Sequence, residues 1–571
     1  MKDYFLKPSD PMQKRYEALR ASFVENISAN DVAERFGYSV HTINALRRDF
    51  KANMLQSFFQ PLKPGPKDQH SDIKQLKDRI VELRKLNYSI SEIEEVLVRD
   101  GNEISDKTIN DILKAEGFAR LFRRTGVERR IALQQGKNPA EVADISMFSK
   151  HKQISTKYGG VFLFIPMILE LDLHTLMQSG GFYGSKIIPA INYLLSFLAL
   201  KLIGKERLFH VNDLNFDYGL GSFAGLNVLP KVAALTQYSY QNPHTLVRQF
   251  LIRWNKMLIS QGYIKGNFIN LDFHSIPHWG EDIPLDNHWI PTRGKSMKSV
   301  LSFFAQDLET TYLCYSNGQI AKGEEADEIL NFVKFYKTAH NKYPQCLVFD
   351  SKLTTYENLN ILNKDYRIKF ITLRRRGKNI LKEIQKVSYW KKIKLDIPKR
   401  KYKQLKVWDH KTTIQGYEDP IRQIIITGNG RELPMFLITN DFSTSIKDIL
   451  HSYARRWLVE NNIQENIDFF SLNALSSEVI VKVDFDIAIT IIANTLYKML
   501  AKKFSIFKKV KPKTLYRCII EGEAQISLTE EEIIVSYGKK AFNPMIMDWA
   551  KSIQNVKVPW MKNKILTFKF D

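Results

Sequence analysis

Asn270-Leu271-Asp272-Phe273-His274-Ser275-Ile276-Pro277 sets an apolar run around a single carboxylate. Phe268 to Phe273 has the pattern of a buried strand, and Asp272 falls near its end. A second apolar run, Cys346-Leu347-Val348-Phe349, leads into Asp350. A third acid, Glu460, ends the helical stretch Tyr453-Ala454-Arg455-Arg456-Trp457-Leu458-Val459-Glu460. Three separated carboxylates in a basic chain point to metal-dependent chemistry on a nucleic acid.

Working outward, 571 residues exceed one ordinary core and imply three or four domains at roughly 150 residues each. The 84 Lys+Arg against 61 Asp+Glu give +23, which suits a polyanionic partner. A hydrophobic content of 44% excludes a disordered basic tail. Cys314, Cys346 and Cys518 are far apart and form no CxxC, which argues for a reducing compartment and against a zinc finger or disulfide framework. Met1-Lys2-Asp3-Tyr4 begins no signal-peptide core, and Ile187 to Ile203, interrupted by Asn192, Ser196 and Lys201, reads as a buried helix rather than a membrane span.

The N-terminal region reads as helices over Gln13–Glu25, Ala29–Phe36 and Val40–Phe50, with Gly37 at the turn and Ser39 as a cap. Val32, Ala33, Phe36, Ile43 and Leu46 supply a small core, and Arg47 and Arg48 lie on the helix that would enter a DNA groove. A proline-rich joint, Pro61-Leu62-Lys63-Pro64-Gly65-Pro66-Lys67, leads to a second module with helices over Ser71–Leu86, Ile90–Leu97 and Ser105–Glu116. Lys107, Lys114, Arg120, Arg123 and Arg124 are its candidate DNA-facing charges, with packing or dimerisation as the alternative role. Val127 to Gly266 is expected to be mainly helical.

From Phe268 the pattern changes to short strands: Phe268–Phe273, Ser299–Ala305, Thr311–Tyr315, Leu347–Asp350 and Lys369–Leu373. Helices over Glu324–His340 and Tyr356–Leu362 separate the last three. The order β-β-β-α-β-α-β resembles an RNase H-like core. The motifs around it resemble those of a DDE transposase of a bacterial insertion sequence, of the insertion-sequence-four type. Asp272 to Gly280 resembles the first-Asp motif. Phe349-Asp350-Ser351-Lys352-Leu353 with Glu357-Asn358-Leu359 and Phe370-Ile371-Thr372-Leu373-Arg374 resembles the second. Tyr453, Arg456 and Glu460 match a Tyr-x2-Arg-x3-Glu motif. The next family position, a Lys seven residues after the Glu, is Ile467 here, which removes an expected phosphate contact.

The resemblance implies a multidomain α and α/β chain: a helix-turn-helix module (1–60), linker (61–70), second such module (71–126), helical region (127–266), RNase H-like mixed-sheet core (267–374 and 443–505), β-rich insertion (375–442) and C-terminal segment (506–571). It implies catalysis and metal binding by Asp272, Asp350 and Glu460, two Mg²⁺ or Mn²⁺ ions, and DNA contacts from Tyr453 and Arg456. Implied partners are double-stranded DNA, as terminal inverted repeats and target, and a second subunit on the DNA, in a bacterial cytoplasm at the nucleoid and with no membrane. Glu465 is the rival third acid, and Arg456 could hold a phosphate or orient Glu460. His274 and His278 read as structural or DNA-proximal.

Between Arg367 and Lys411 stand 17 Lys/Arg against three Asp/Glu. This stretch, with Arg374, Arg375, Arg376 and Lys378, is the candidate backbone clamp. Two other functions remain open: a transposase-derived DNA-binding protein without catalysis, and a nuclease without strand transfer.

Overall fold

The computed structural model describes the chain except residues 1–4, 7, 9, 53–70, 86–87, 103, 117, 119–141, 146–152, 279–284, 376–383, 385–386, 388, 397–401, 475–479, 554 and 571. The 61–70 linker and Arg120, Arg123, Arg124, Arg376 and Lys378 therefore lie outside the described residues. The chain is a mixed α/β protein with two compact units, one built from Met1–Glu82 and Lys107–Gly117, the other from Leu83–Asp106 and Phe118–Asp571. This division passes through the expected second module, whose helices are Ser71–Lys85, Ile90–Arg99 and Asp106–Ala115.

In the smaller unit, the helices Pro11–Phe23, Ala29–Phe36 and Val40–Lys51 each start at a side-chain cap: Asp10, Ser28 and Ser39 accept bonds from the first-turn amides. Gly37 closes the second helix at φ 63°, a left-handed conformation that glycine adopts without a Cβ penalty. Ala18, Ala21, Val32, Ala33, Phe36 and Ile43 form the core, with Leu46 packed against it. A Lys77–Glu116 ion pair at 2.5 Å links the later helices within the same unit.

Among the described residues the larger unit contains two sheets. Strands β1 (Gln153–Thr156), β2 (Phe268–Pro277), β3 (Asn287–Ile290), β4 (Lys295–Asp307), β5 (Leu313–Asn317), β6 (Cys346–Val348) and β7 (Lys369–Leu373) precede β8 (Lys391–Lys394), β9 (Gln404–Thr412), β10 (Ile421–Thr427) and β11 (Met435–Thr439). The last four are β12 (Ala524–Leu528), β13 (Glu532–Tyr537), β14 (Val556–Val558) and β15 (Lys564–Phe570). One ten-stranded sheet runs β3-β4-β2-β6-β7-β11-β10-β9-β8, with β5 beside β4. Pairing is antiparallel for β2 with β4 and β4 with β5, and parallel for β2 with β6 and β6 with β7. The strands expected as an insertion thus continue this sheet, because β11 pairs antiparallel with β7.

The sheet positions the acids through its two-residue period. On β2, Ile269 and Leu271 enter the large core with Leu347, Phe349 and Phe370. The alternate residues Asn270 and Asp272 belong to the other side. There, Val348, Ile371, Ile424 and Leu437 pack with Ile449 and Leu450 of the helix Ile446–Ala454.

The mainly helical region also contains β1, which pairs with β12 and opens a five-stranded sheet, β1-β12-β13-β15-β14. Gly160 fits beside it because a Cβ there would meet the Ile520 Cα at 2.3 Å. The 24-residue helix Ile480–Lys503 lines the large core through Phe485, Ile489, Ile492 and Leu496. The apolar helix Ala190–Leu202, with 13 residues, is buried almost throughout. Among the described residues no single helix is long and apolar enough to cross a membrane.

Candidate active site

Asn270 on β2 and Val348 on β6 are partners in parallel register. Two residues beyond that pair, each chain reaches an aspartate, Asp272 on the continuing β2 and Asp350 on the turn that follows β6. In the turn, Asp350 Oδ1 accepts from Lys352 N at 2.9 Å, and its carbonyl accepts from the Thr372 and Thr354 hydroxyls at 3.2 and 3.3 Å. Asp272 Oδ1 accepts from Phe273 N at 3.0 Å.

The third acid comes from a broken helix. Tyr453 ends the helix Ile446–Ala454, Arg456 caps the helix Trp457–Asp468, and Glu460 sits in the latter's first turn. This corrects the expected single helical stretch: Tyr453 and Glu460 belong to two helices, joined at Arg455 and Arg456. The join is fixed by Arg455 Nη2 donating to Leu308 O at 2.9 Å and Asn270 Nδ2 reaching Arg455 O at 3.5 Å. Further along, Asn462 Nδ2 donates to Thr311 O at 3.0 Å, the same carbonyl that receives Gln306 at 3.1 Å and Lys498 at 2.5 Å.

At this join, the Arg456 guanidinium bridges two acids. Its Nη2 donates to Glu460 Oε1 at 2.5 Å, and its Nη1 lies 3.5 Å from Asp272 Oδ2. The Arg456 and Asp272 side chains are only 17% and 14% exposed, whereas Glu460 is 51% exposed. The Glu460 pair therefore contributes about 0–1 kcal/mol to stability, as exposed pairs do. Removing the partner of the buried Asp272 charge is the costlier change.

Electrostatically the three acids form one group. Burial is the main force pushing the Asp272 carboxyl up to about 7; Arg456 opposes it, while Glu460 and Asp350 add to it. Burial disfavours the Arg456 charge, but Asp272, Tyr453, Glu460 and Asp350 together raise its pKa. Burial pushes the Tyr453 phenol up to about 12 against the pull of Arg456. Glu465 belongs elsewhere: burial raises its pKa, opposed by Lys498 and Lys511, and with Asp468 rather than Asp272 adding to it.

Hard carboxylate oxygens are the ligands Mg²⁺ prefers, and a carboxyl driven up by burial and like charges is one that a cation would return to its ionised form. By this donor chemistry Asp272, Asp350 and Glu460 suit a divalent ion. Among the described residues, no three His, Cys, Asp or Glu side chains are placed to hold a metal as the chain stands. Arg456 supplies the countercharge instead.

The remaining candidates are dispersed. Arg374 donates to Gln423 Oε1 at 2.7 Å within the sheet, and Arg375 donates to Ser351 O at 3.1 Å, bracing the turn after Asp350. Arg47 lies over the Phe23 ring at 5.7 Å, while Arg48 is exposed beside Asp49. His274 Nε2 and Asn473 Oδ1 are 2.6 Å apart, and burial lowers the imidazole's pKa. Ile467 packs against the apolar cluster of Val459, Ile463, Leu472 and Ile487. Lys352 is the residue that sequence reasoning missed. Its ammonium lies 4.5 Å over the Phe273 ring, and burial lowers its pKa against the pull of Glu325, Asp350 and Asp272. Its position two residues after Asp350 was the available signal.

No known protein-family profile matches the chain, and a search of curated proteins gives no match. What the fold and the site define is a mixed α/β chain in which one guanidinium bridges Asp272 and Glu460, with the Asp350 charge also acting on it, beside interior strands of a large mixed sheet.

Proposed function

We propose that the chain is a DNA transposase of the DDE type, with an RNase H-like core, that binds the ends of a mobile element and catalyses metal-dependent cleavage and strand transfer. The observation that carries this reading is the register of β2 and β6, which brings Asp272 and Asp350 to one level, with Glu460 tied to Asp272 through Arg456. The order β5-β4-β2-β6-β7, with its antiparallel and parallel pairings, supports the RNase H-like part.

Asp272, Asp350 and Glu460 would hold Mg²⁺ or Mn²⁺, which when bound stabilises charge on the entering and leaving oxygens of a phosphodiester. Lys352 and Arg456 bring positive charge to the phosphate, and Tyr453 braces the Arg456 side of the site. The caps, turn and exposed third helix of the N-terminal unit support DNA recognition there. Synapsis of two ends calls for a dimer on DNA, at the bacterial nucleoid.

A DNA-binding protein derived from a transposase is the second reading. It is favoured by Ile467, which stands at the expected Lys position and packs in an apolar cluster. Incubating purified protein with Mg²⁺ or Mn²⁺ and duplexes taken from the DNA flanking its gene separates these. Cutting and joining that Asp272→Asn abolishes, with binding retained, supports the enzyme. Binding without cutting supports the second reading, and cutting without joined products supports a nuclease.

A further inference from the structure

The third helix of the N-terminal unit, Val40–Lys51, has two unlike stripes. Ile43 and Leu46 face the three-helix core. Around the helix from them, His41, Asn44, Ala45 and Arg48 follow at i, i+3, i+4 and i+7, so they line one face. His41, Asn44 and Arg48 are exposed and Ala45 is half-buried. Arg47, adjacent in sequence, is turned away from this stripe and lies over Phe23 at 5.7 Å.

We infer that the His41, Asn44, Ala45, Arg48 stripe reads base edges in the major groove of duplex DNA, with Asn44 and Arg48 as the specificity-determining residues. The inference rests on the DNA reading above and assigns its sequence preference to named side chains. Three observations choose this occupant. Most acids of the first two helices and the turn between them are engaged: Glu17 and Glu25 by Arg20 at 2.8 and 2.5 Å, Glu25 also by Arg35 at 3.1 Å, and Asp31 by Ser28 at 2.6 Å, with Glu34 exposed on the second helix. The stripe itself carries no acid. Asp49 lies beside it and pairs with Arg48 at 3.0 Å, but that arginine side chain is 76% exposed, so exchanging the carboxylate for another acceptor is cheap.

Chemistry and size also agree. An amide can bond adenine N6 and N7 together, and a guanidinium can do the same to guanine O6 and N7. Ala45, with a single methyl between them, keeps the middle of the stripe low, so that a helix about 10–12 Å across can enter a groove about 12 Å wide. Asn44 and Arg48 are one turn apart, roughly 6 Å along the axis, or about two base-pair steps. The preferred site should therefore contain an adenine and a guanine within about two steps of each other.

The test is selection from a pool of randomised duplexes by the full chain in EDTA at about 150 mM salt, repeated with Asn44→Ala, Arg48→Ala and Arg48→Lys. Equal melting temperatures establish that these surface variants remain folded. Wild type should enrich one short motif; Asn44→Ala and Arg48→Ala should each flatten a single position, lowering affinity for the selected duplex about tenfold to a hundredfold. Affinity for unselected duplex should change far less, and Arg48→Lys should not restore the guanine, because lysine lacks the fork. An unchanged motif in the variants, or binding by wild type without any preference, overturns the assignment while leaving DNA binding intact. Absence of duplex binding by wild type overturns the DNA reading with it.

Discussion

Arg456 sets Nη1 3.5 Å from Oδ2 of Asp272, so an acid that burial disfavours as an anion is faced by a guanidinium shared with a second carboxylate. One positive charge is set among three carboxylates, and Asp272 remains shifted upward despite it.

That shift makes Asp272 a source of instability as pH rises. Its carboxyl moves from an ordinary 3.8 to about 7 on folding, so both states are protonated below about 4 and the native state holds the extra proton between 4 and 7. Stability falls through that window and levels off above it. At about 1.4 kcal/mol per unit the upper limit is about 4 kcal/mol, and relaxation should leave about 2–3 kcal/mol. Asp272→Asn should therefore match wild type at pH 4 and exceed it at pH 8 by urea unfolding; a variant no more stable at pH 8 contradicts the assignment.

Divalent cation should act in the same place. Millimolar Mn²⁺ should raise the melting temperature of wild type at pH 7.5 and fail to do so for Asp272→Asn or Asp350→Asn, since a ligand bound only by the native state stabilises it by mass action. Equal shifts in all three proteins would place the ion elsewhere.

Lys352 gives a salt-dependence prediction. If its ammonium meets a phosphate beside Asp350, Lys352→Ala should weaken duplex binding at low salt and reduce the log affinity against log salt slope by about one. Fluorescence anisotropy over a salt series measures both, and an unchanged slope would confine Lys352 to packing on Phe273.

Asn462 tethers the Glu460 helix to the Thr311 carbonyl, which keeps two other donors when this one is lost. Asn462→Ala should cost only about 1 kcal/mol globally. Amide exchange in 457–468 should nonetheless accelerate more than in the sheet, as read by mass spectrometry. Uniform acceleration would show that the bond has no local role.

Ile467 tests the second functional reading. Placing the family's lysine there inserts a long charged chain at the edge of an apolar cluster, so Ile467→Lys should lower stability by about 1–2 kcal/mol and leave catalysis no higher. A gain in DNA cleavage would identify Ile467 as the lesion of a weakened enzyme.

Local patterns were legible where neighbouring residues decide the outcome. The strand Lys369–Leu373 has the ends that its apolar run indicates, as does the helix Ala29–Phe36 between its cap and Gly37. Asp272 is marked by the strand that contains it, and Asp350 by the strand it follows. What escaped depends on distant partners. β1 has only four residues and takes its identity from Ala524–Ser527; β8 to β11 join the main sheet through a β7 pairing that no local pattern encodes. The break at Arg455 and Arg456 has no proline or glycine to announce it, being fixed by Asn270 on β2 and Leu308 in the turn after β4. The basic stretch proved mixed in use, since Arg374 is drawn to Gln423 within the sheet.

The β1–β12 pairing also sets a schedule for synthesis. At roughly 5–20 residues per second, a ribosome needs on the order of 20–70 s to travel from Thr156 to Ala524. Until then Gln153–Thr156 lacks the strand it will join. The larger unit can be completed only after nearly the whole chain has emerged, so a product stopped before β12 would leave its five-stranded sheet unformed.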